Sequence, residues 1–258
     1  MLKLIDTHAH LDEVEDLAVS IRNALDVGVV AIVAVGTGYD SNQRVLELAQ
    51  QYRRLVYPAL GLHPWQLGSM EPSTVERTLY QIEENESQAV AIGEVGLDYD
   101  KRVKERVSKD RQQAVFGEVL GLARKHQKPP LVHSRYSWKD ALVLTIQAGI
   151  KEAVFHWYTG PSSVLREIIA REYFISATPA SEYHAEHRRA VREAPLRNLL
   201  LETDSPVQYG RESRYVSAPG DVRRSLSAVA AIKGMEESAL AEQTTQNSLR
   251  LFLMITPV

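Results

Sequence analysis

Six side chains that could bind metal ions stand at the ends of apolar runs spread along the whole chain. Two of them, His8 and His10, flank a single alanine, so on an extended segment their imidazoles point to the same side and can converge on one ion. A His-x-His pair alone is equally typical of a polar loop. Each of the other four follows a different apolar run, and the full set is His8, His10, Glu94, His133, His156 and Asp204. Histidine with carboxylates and without cysteine is the ligand mixture of Zn²⁺, Mn²⁺ or Mg²⁺ in hydrolytic sites.

The number of these ligands indicates more than one ion. Six ligands exceed what one tetrahedral ion takes, whereas two ions about 4 Å apart and bridged by a carboxylate would use them all. Glu94 is the natural bridge. Such a pair clamps the attacking and leaving oxygens of a displacement, so the set predicts two divalent metal ions as cofactor and a hydrolytic reaction. The competing interpretation is a group of unconnected buried polar residues.

Eight short apolar runs supply the elements that would hold these side chains together. The runs are residues 2–5, 29–35, 55–60, 90–93, 130–133, 153–155, 173–176 and 199–201. Continuous apolar runs are typical of strands buried on both faces, as in a parallel sheet. Helical patterns lie between them, and the clearest is an apolar stripe from Val14 to Leu25 that Gly28 ends.

The alternation of strand and helix predicts an α/β fold, a single (β/α)₈ TIM-type barrel with the active site at the C-terminal ends of the strands. At that rim, residues far apart in sequence become neighbours. A doubly wound open sheet is the alternative. The chain has no linker or low-complexity segment, so we expect residues 1–258 to form one domain.

The composition excludes several classes of protein. Of the 258 residues, 44% are hydrophobic and 24% are charged, which is typical of a globular enzyme rather than a disordered, fibrous or membrane protein. The net charge of -3 gives no basic field for binding duplex DNA, and the absence of cysteine excludes disulfides and thiolate ligands. No signal sequence or membrane span of about 18 apolar residues is evident. We therefore expect a cytoplasmic protein without membrane contact, and nothing predicts a stable protein partner.

Seven segments resemble the TatD family of metal-dependent hydrolases, within the amidohydrolase-like barrel superfamily. They are IDTHAHLD at 5–12, ALGLHPW at 59–65, AIGEVGLDY at 91–99, LVHSR at 131–135, HWYTG at 156–160, LLETDSP at 200–206 and the terminal NSLRLF. Their order and spacing make the resemblance specific, and it implies the same barrel. It also implies one ion on His8, His10 and Asp204, a second on His133 and His156, and Glu94 between the two.

The resemblance further implies an activity. Family members are described as metal-dependent DNases that remove nucleotides from DNA ends, so we expect a phosphodiesterase, a 3'-5' exodeoxyribonuclease, with single-stranded DNA or 3' ends as its substrate. It suggests that His63 contacts a substrate phosphate rather than a metal; the other interpretation is a histidine that turns a tight His-Pro loop. Residues 217–221 read SAPGD and lack the Arg and Glu that the family usually has there, which puts substrate recognition in question.

Five side chains have candidate roles other than metal binding, and one of them, Asp204, is also a candidate ligand. Asp204 is the candidate general base, because its carboxylate would lie within reach of the attacking water. Arg135 could contact a phosphate through its planar guanidinium or serve as an ion-pair partner. Glu202 could hydrogen-bond a ligating imidazole and fix its tautomer, or form a salt bridge at the barrel rim. Trp65 and Trp157 fall on rim loops where a nucleobase could stack.

Two other functions remain open at this stage. One is hydrolysis of an amide, lactone or aminoacyl ester, because the same barrel and metal pair can polarise a carbonyl. In many such relatives a carbamylated lysine bridges the metals where this chain has Glu94, which favours phosphoesters. The other is a metal-binding scaffold without catalysis, and the presence of all six ligands counts against it.

Overall fold

The computed structural model describes residues 2–256 and contains one sheet of eight parallel strands. Each strand pairs with the strand that follows it along the chain, so the spatial order equals the sequence order. The strands are β1 (Leu4–Ala9), β2 (Val29–Val35), β3 (Val56–Leu62), β4 (Ala91–Asp98), β5 (Pro130–Arg135), β6 (Val154–Phe155), β7 (Phe174–Ala177) and β8 (Leu199–Leu201). The barrel prediction is confirmed. A doubly wound sheet would instead show a reversal of strand order.

The first and last strands meet and nearly close the barrel. Ala9 forms an isolated parallel bridge with Ser205, and the Thr7 hydroxyl donates to the Leu201 carbonyl at 2.9 Å. The buried carboxylate of Asp6 accepts from both the backbone N–H and the hydroxyl of Thr203, at 2.9 and 2.6 Å. Two backbone hydrogen bonds, from Asp204 N–H to the His8 carbonyl and from His10 N–H to the Ser205 carbonyl, join the same seam, so both backbone and side chains close the barrel.

Helices cover the outside of the sheet. They are α1 (Leu17–Asp26), α2 (Tyr39–Gln51), α3 (Pro72–Glu84), α4 (Lys101–Lys104), α5 (Lys109–Lys125), α6 (Trp138–Gln147), α7 (Ser162–Ala170), α8 (Ala185–Glu193), α9 (Val222–Lys233) and α10 (Glu237–Leu251). A short antiparallel hairpin, β9 (Gln208–Tyr209) with β10 (Tyr215–Val216), follows β8. Among residues 2–256, no helix is long and apolar enough to cross a membrane.

Alternate strand residues divide the core into an inner and an outer layer. The inner cluster takes a residue from every strand of the barrel, and Phe252, just after α10, packs with it. Along β6, Val154 belongs to this inner cluster and Phe155 to the outer one between strands and helices. The continuous apolar runs of the sequence follow from this double burial.

Helix α1 differs in part from its sequence pattern. Ile21 and Ala24 face the core, whereas the helix begins only at Leu17, after Val14, and Leu25 is 44% exposed. The predicted stripe is therefore wrong at both ends. The end point itself is confirmed: Gly28 has φ +95°, and a Cβ there would lie 2.2 Å from the Leu2 carbonyl oxygen. Only glycine adopts this conformation and this close approach without strain.

Candidate metal centre

The structure brings all six predicted ligands together at the C-terminal end of the barrel, as the rim argument requires. Their backbone positions are His8 in β1, His10 directly after it, Glu94 in β4, His133 in β5, His156 directly after β6, and Asp204 in the loop after β8.

The strands that carry them run further than the apolar runs predicted. β1 continues through Ala9, and β4 continues to Asp98, which pairs with Arg135 of β5. The apolar pattern ends early because polar side chains of the site, His8 in β1 and Glu94 and Asp98 in β4, interrupt it. Their backbone hydrogen bonding continues regardless of side-chain polarity.

Glu94 lies at the centre of the cluster, and its two carboxylate oxygens face different histidines. Oε2 lies 3.3 Å from Nε2 of both His8 and His10. Oε1 lies 2.8 Å from Nδ1 of His133 and 2.8 Å from Nε2 of His156. One carboxylate thus contacts two groups of donor atoms. The first group is on His8 and His10, and the second group is on His133 and His156.

Asp204 completes the first group. Its Oδ1 lies 3.5 Å from His8 Nε2 and 3.4 Å from His10 Nε2, and these two nitrogens are 3.4 Å apart. A tetrahedral ion with ligands at about 2.0–2.1 Å would separate them by about 3.3–3.4 Å. The donor atoms of the first group therefore fit a cation of this size.

Hydrogen bonds on the far side of two imidazoles orient the nitrogens that face the carboxylates. His10 Nδ1 lies 3.1 Å from the Val35 carbonyl oxygen and donates to it, so Nε2 is the nitrogen that faces Glu94 and Asp204. His133 Nε2 donates to Asp98 Oδ2 at 3.0 Å, so Nδ1 is the nitrogen that faces Glu94. Such partners fix the tautomer and raise the basicity of a ligand.

The charges of the cluster favour a cation between the carboxylates. Burial lowers the pKa of His10 and His156, but the neighbouring carboxylates outweigh it and raise both pKa values well above the usual one. Burial likewise raises the pKa of Glu94, yet the surrounding histidines hold it well below the usual range. Since the anions stabilise positive charge there, a divalent ion suits this donor set.

His63 lies beside the second group but presents a donor. Its Nε2 is 3.3 Å from Glu94 Oε1, while its Nδ1 accepts the backbone N–H of Trp65 at 3.2 Å. Burial lowers the pKa of His63 to about 4. Because Nδ1 accepts a hydrogen bond, the neutral ring carries its proton on Nε2 and donates from there. Its donor atoms also lie close enough to those of Glu94 and His133 to hold an ion if Nε2 were deprotonated.

Asp98 is a residue of the site that the sequence analysis missed. It is fully buried, and besides His133 it accepts from Trp65 Nε1 at 2.6 Å and from the backbone N–H of Asp100 at 2.8 Å. Burial raises its pKa, but the hydrogen bonds from His133 and Trp65 outweigh this and hold the pKa below the usual range. A signal was present: Glu94 and Asp98 are four residues apart, the spacing of one strand face.

Arg135 also binds Asp98. Its Nε lies 3.2 Å from Oδ1 and its Nη2 2.9 Å from Oδ2, a two-pronged ion pair at the wall of the site. This geometry supports the ion-pair interpretation of Arg135, and its contact with a phosphate stays a prediction.

Glu202 lies beneath His156 and is fully buried. Its Oε1 accepts the backbone N–H of Trp157 at 3.0 Å and lies 3.6 Å from His156 Nδ1. No lysine or arginine among residues 2–256 forms an ion pair with it. The arrangement supports a role in orienting His156 rather than a salt bridge at the rim.

A cavity of about 740 Å³ opens over the cluster. His63, Trp65, Arg135 and Trp157 line it, whereas no residue of the segment 217–221 does. That segment holds a 3₁₀ turn, Pro219–Asp221, before α9, and Gly220 packs against α1. Its departure from the family pattern thus lies outside the wall of this cavity.

The sequence and the structure are similar to known proteins over nearly the whole chain. The family model for TatD related DNase matches residues 5–253. Human deoxyribonuclease TATDN3 is 32% identical over 259 residues, covering 96% of this chain and 94% of its own length. The uncharacterized metal-dependent hydrolase YabD of Bacillus subtilis is 31% identical and covers 96% and 98%. The crystal structure of the TatD homologue YjjV of Escherichia coli superposes with a TM-score of 0.87 at 27% identity, covering 97% and 98%.

Proposed function

The chain belongs to the TatD related DNase family of metal-dependent hydrolases, and we propose that it is a phosphodiesterase, a 3'-5' exodeoxyribonuclease that acts on DNA ends through a binuclear metal site. The observation that carries the proposal is the division of Glu94, whose two oxygens face two groups of ring nitrogens at 2.8–3.3 Å. The name of the human relative, a deoxyribonuclease, supports a DNA substrate.

The proposed ligands follow these two groups. His8, His10 and Asp204 would hold one divalent ion, and His133 and His156 the other, with Glu94 as the bridge. Zn²⁺, Mn²⁺ and Mg²⁺ are the candidates, and the histidine-rich donor set favours the first two over Mg²⁺, which prefers oxygen ligands.

The proposed ions and the side chains of the site would contribute different parts of the reaction. Two bound ions would neutralise charge on the phosphoryl group and lower the pKa of the attacking water. Asp204 would accept the proton of that water, because its carboxylate lies at the edge of the first ligand group, inside the cavity. His63 would donate its Nε2 hydrogen to a phosphate oxygen, and Arg135 would face the same phosphate from the cavity wall.

The test begins with protein stripped of metal, to which Mg²⁺, Mn²⁺ or Zn²⁺ is returned, acting on single-stranded DNA labelled at its 5' end. We expect metal-dependent, stepwise shortening of the labelled strand from its 3' end. Immediate release of a labelled mononucleotide would contradict the polarity. No cleavage by protein shown to hold two ions would overturn the phosphodiesterase proposal and direct attention to amide, lactone and aminoacyl-ester substrates.

The bridge has its own test. Glu94→Ala should bind fewer than two ions per chain and lose activity, because both ligand groups lose their shared oxygens. His126→Ala is the matched control, since His126 lies near Glu83 and Glu86, away from the cavity. Unchanged metal content in Glu94→Ala would overturn the bridging role.

A further inference from the structure

The cavity over the metal centre has little positive charge of its own. Among the described residues that line it, Arg135 is the one lysine or arginine, and its guanidinium is already paired with the buried carboxylate of Asp98. Two exposed carboxylates, Glu13 and Glu186, line the cavity as well, and Glu186 pairs with Arg189 at 3.3 Å. A phosphate that lies beyond the proposed ions would therefore meet carboxylates rather than free cations.

Basic side chains on the short helix α4 do not change this. Arg102 pairs with Asp100 at 3.2 Å, and Lys101 lies 3.9 Å from Glu105. Neither cation lines the cavity. Proteins that bind long single strands instead track the backbone with a positively charged groove.

Aromatic side chains form the other wall of the cavity. Trp65 is 54% exposed, although its indole N–H donates to Asp98 at 2.6 Å and the Arg135 guanidinium lies 5.2 Å from its ring centroid. The ring is therefore held in place while much of its surface stays open. Tyr136 is 61% exposed and packs edge-on against Trp138, with ring centroids 5.8 Å apart. Exposed, fixed aromatic rings stack on any nucleobase.

The size of the cavity limits what these rings can hold. Its volume of about 740 Å³ lies within the range of roughly 300–1,000 Å³ that accommodates one drug-sized molecule. A segment of one or two nucleotides has this size, whereas a longer strand would extend past the cavity.

We propose that the enzyme recognises short substrate segments, dinucleotides and the terminal one or two nucleotides of a DNA strand, by stacking on Trp65 and Tyr136 and with few phosphate contacts. The inference rests on the proposed phosphodiesterase function. It limits the length of the recognised segment to two nucleotides, so that nucleotides beyond the second add no affinity for the enzyme.

The test compares metal-loaded full-length enzyme on a dithymidylate and on oligothymidylates of about 4 and about 16 nucleotides, the span of known single-strand site sizes. We expect kcat/KM per strand end to agree within about threefold across the series. Between about 50 and 200 mM salt, KM should rise with a log–log slope below about 1.4, the value for two phosphates on a single strand. A larger gain with length or a steeper slope would overturn the inference alone, whereas no cleavage at any length would overturn the proposed function with it.

Variants at the aromatic wall test the stacking. Trp65→Ala should raise KM for the dithymidylate by about 5- to 150-fold, the range for loss of one stacked base. Trp65→Phe keeps a ring without the N–H to Asp98, so it should stay near wild type if stacking matters and resemble Trp65→Ala if only the anchor matters. Tyr80→Ala is the control, because Tyr80 is 64% exposed on α3 and outside the cavity.

Reversing the charge of the lining gives a gain of function as a second test. Glu13→Lys combined with Glu186→Lys would place two lysines at the cavity edge and would also release Arg189 from its ion pair with Glu186. We expect the double variant to gain salt dependence and to prefer the 16-nucleotide substrate, which wild type does not. If wild type and the double variant show the same steep salt dependence, phosphate contacts elsewhere dominate and the inference is wrong.

Discussion

Replacement of Asp98 tests how far one buried carboxylate controls the metal centre. Its Oδ2 accepts from His133 Nε2, Trp65 Nε1 and Arg135 Nη2, and its Oδ1 accepts from Arg135 Nε and the backbone N–H of Asp100. In Asp98→Asn, the amide should keep its oxygen at the Oδ2 position, because three donors point there and two point to Oδ1. His133 would then retain its tautomer but lose a charged partner. In Asp98→Ala, His133 loses the partner altogether.

The expected loss of metal affinity follows from the role of Asp98 as the hydrogen-bond partner of His133. Loss of the group that holds a metal-ligating imidazole typically lowers metal affinity by about 10- to 100-fold, or about 1.4–2.8 kcal/mol. We expect Asp98→Asn near the lower limit and Asp98→Ala near the upper one. The ion proposed on His133 should weaken, while the ion on His8, His10 and Asp204 should not.

The assay is titration of metal-stripped protein with Zn²⁺ or Mn²⁺ in competition with a chelating dye. Circular dichroism of each variant checks that it is folded. Asp140→Asn and Asp140→Ala are matched controls, because Asp140 accepts a hydrogen bond from Tyr99 and contacts no proposed ligand. Folded Asp98→Ala with wild-type affinity at both sites, or an equal loss in Asp140→Ala, would refute the reasoning.

Three further predictions address other parts of the structure. Glu202→Gln should weaken only the ion proposed on His156, by about tenfold; equal weakening of both ions in the same titration would contradict its placement 3.6 Å from His156 Nδ1. Gly28→Ala should lower the free energy of unfolding in urea by more than the about 1–2 kcal/mol expected for a left-handed non-glycine residue, and by more than Gly234→Ala, whose Cβ would meet nothing within 4 Å. Because the pKa of Asp98 is lowered in the folded state, its stabilisation is complete above the unfolded pKa of about 3.9 and is lost as the pH falls further. The difference in unfolding free energy between metal-free wild type and Asp98→Asn should therefore shrink below about pH 4.

The sequence predicted the barrel and the six clustered polar residues for a common physical reason. Parallel strands buried on both faces must be apolar throughout, so a polar side chain marks the place where a strand reaches the rim. The sequence analysis missed Asp98 because it placed the end of the fourth strand at residue 93, where the polar Glu94 follows. Asp98 then lay outside every predicted strand. The real strand continues to Asp98.

The exposure of Leu25 and the ion pair of Arg135 depend on tertiary packing, which the pattern of apolar and polar residues does not specify. Leu25 fits the apolar period of α1 but lies outside the contact with the barrel, while the smaller Ala24 faces the core. The ion pair of Arg135 required the position of Asp98. A single domain over residues 1–258 and a cytoplasmic location stay predictions.

The seam between β1 and β8 connects metal binding to the completion of the fold. Thr7 and Leu201, which meet there, are 194 residues apart, and the proposed ligands His8 and Asp204 lie on opposite sides. An ion held by these residues would bind with full affinity only after most of the chain has been synthesised and the ring has closed. Its binding would then stabilise the closed ring, since the binding free energy adds to the folding free energy. A chain made without metal would rely on the hydrogen bonds of the seam alone, so the seam would open more easily and expose a sheet edge to proteases and other strands. Metal supply would thus set the lifetime of the protein in the cell, independently of its turnover of substrate.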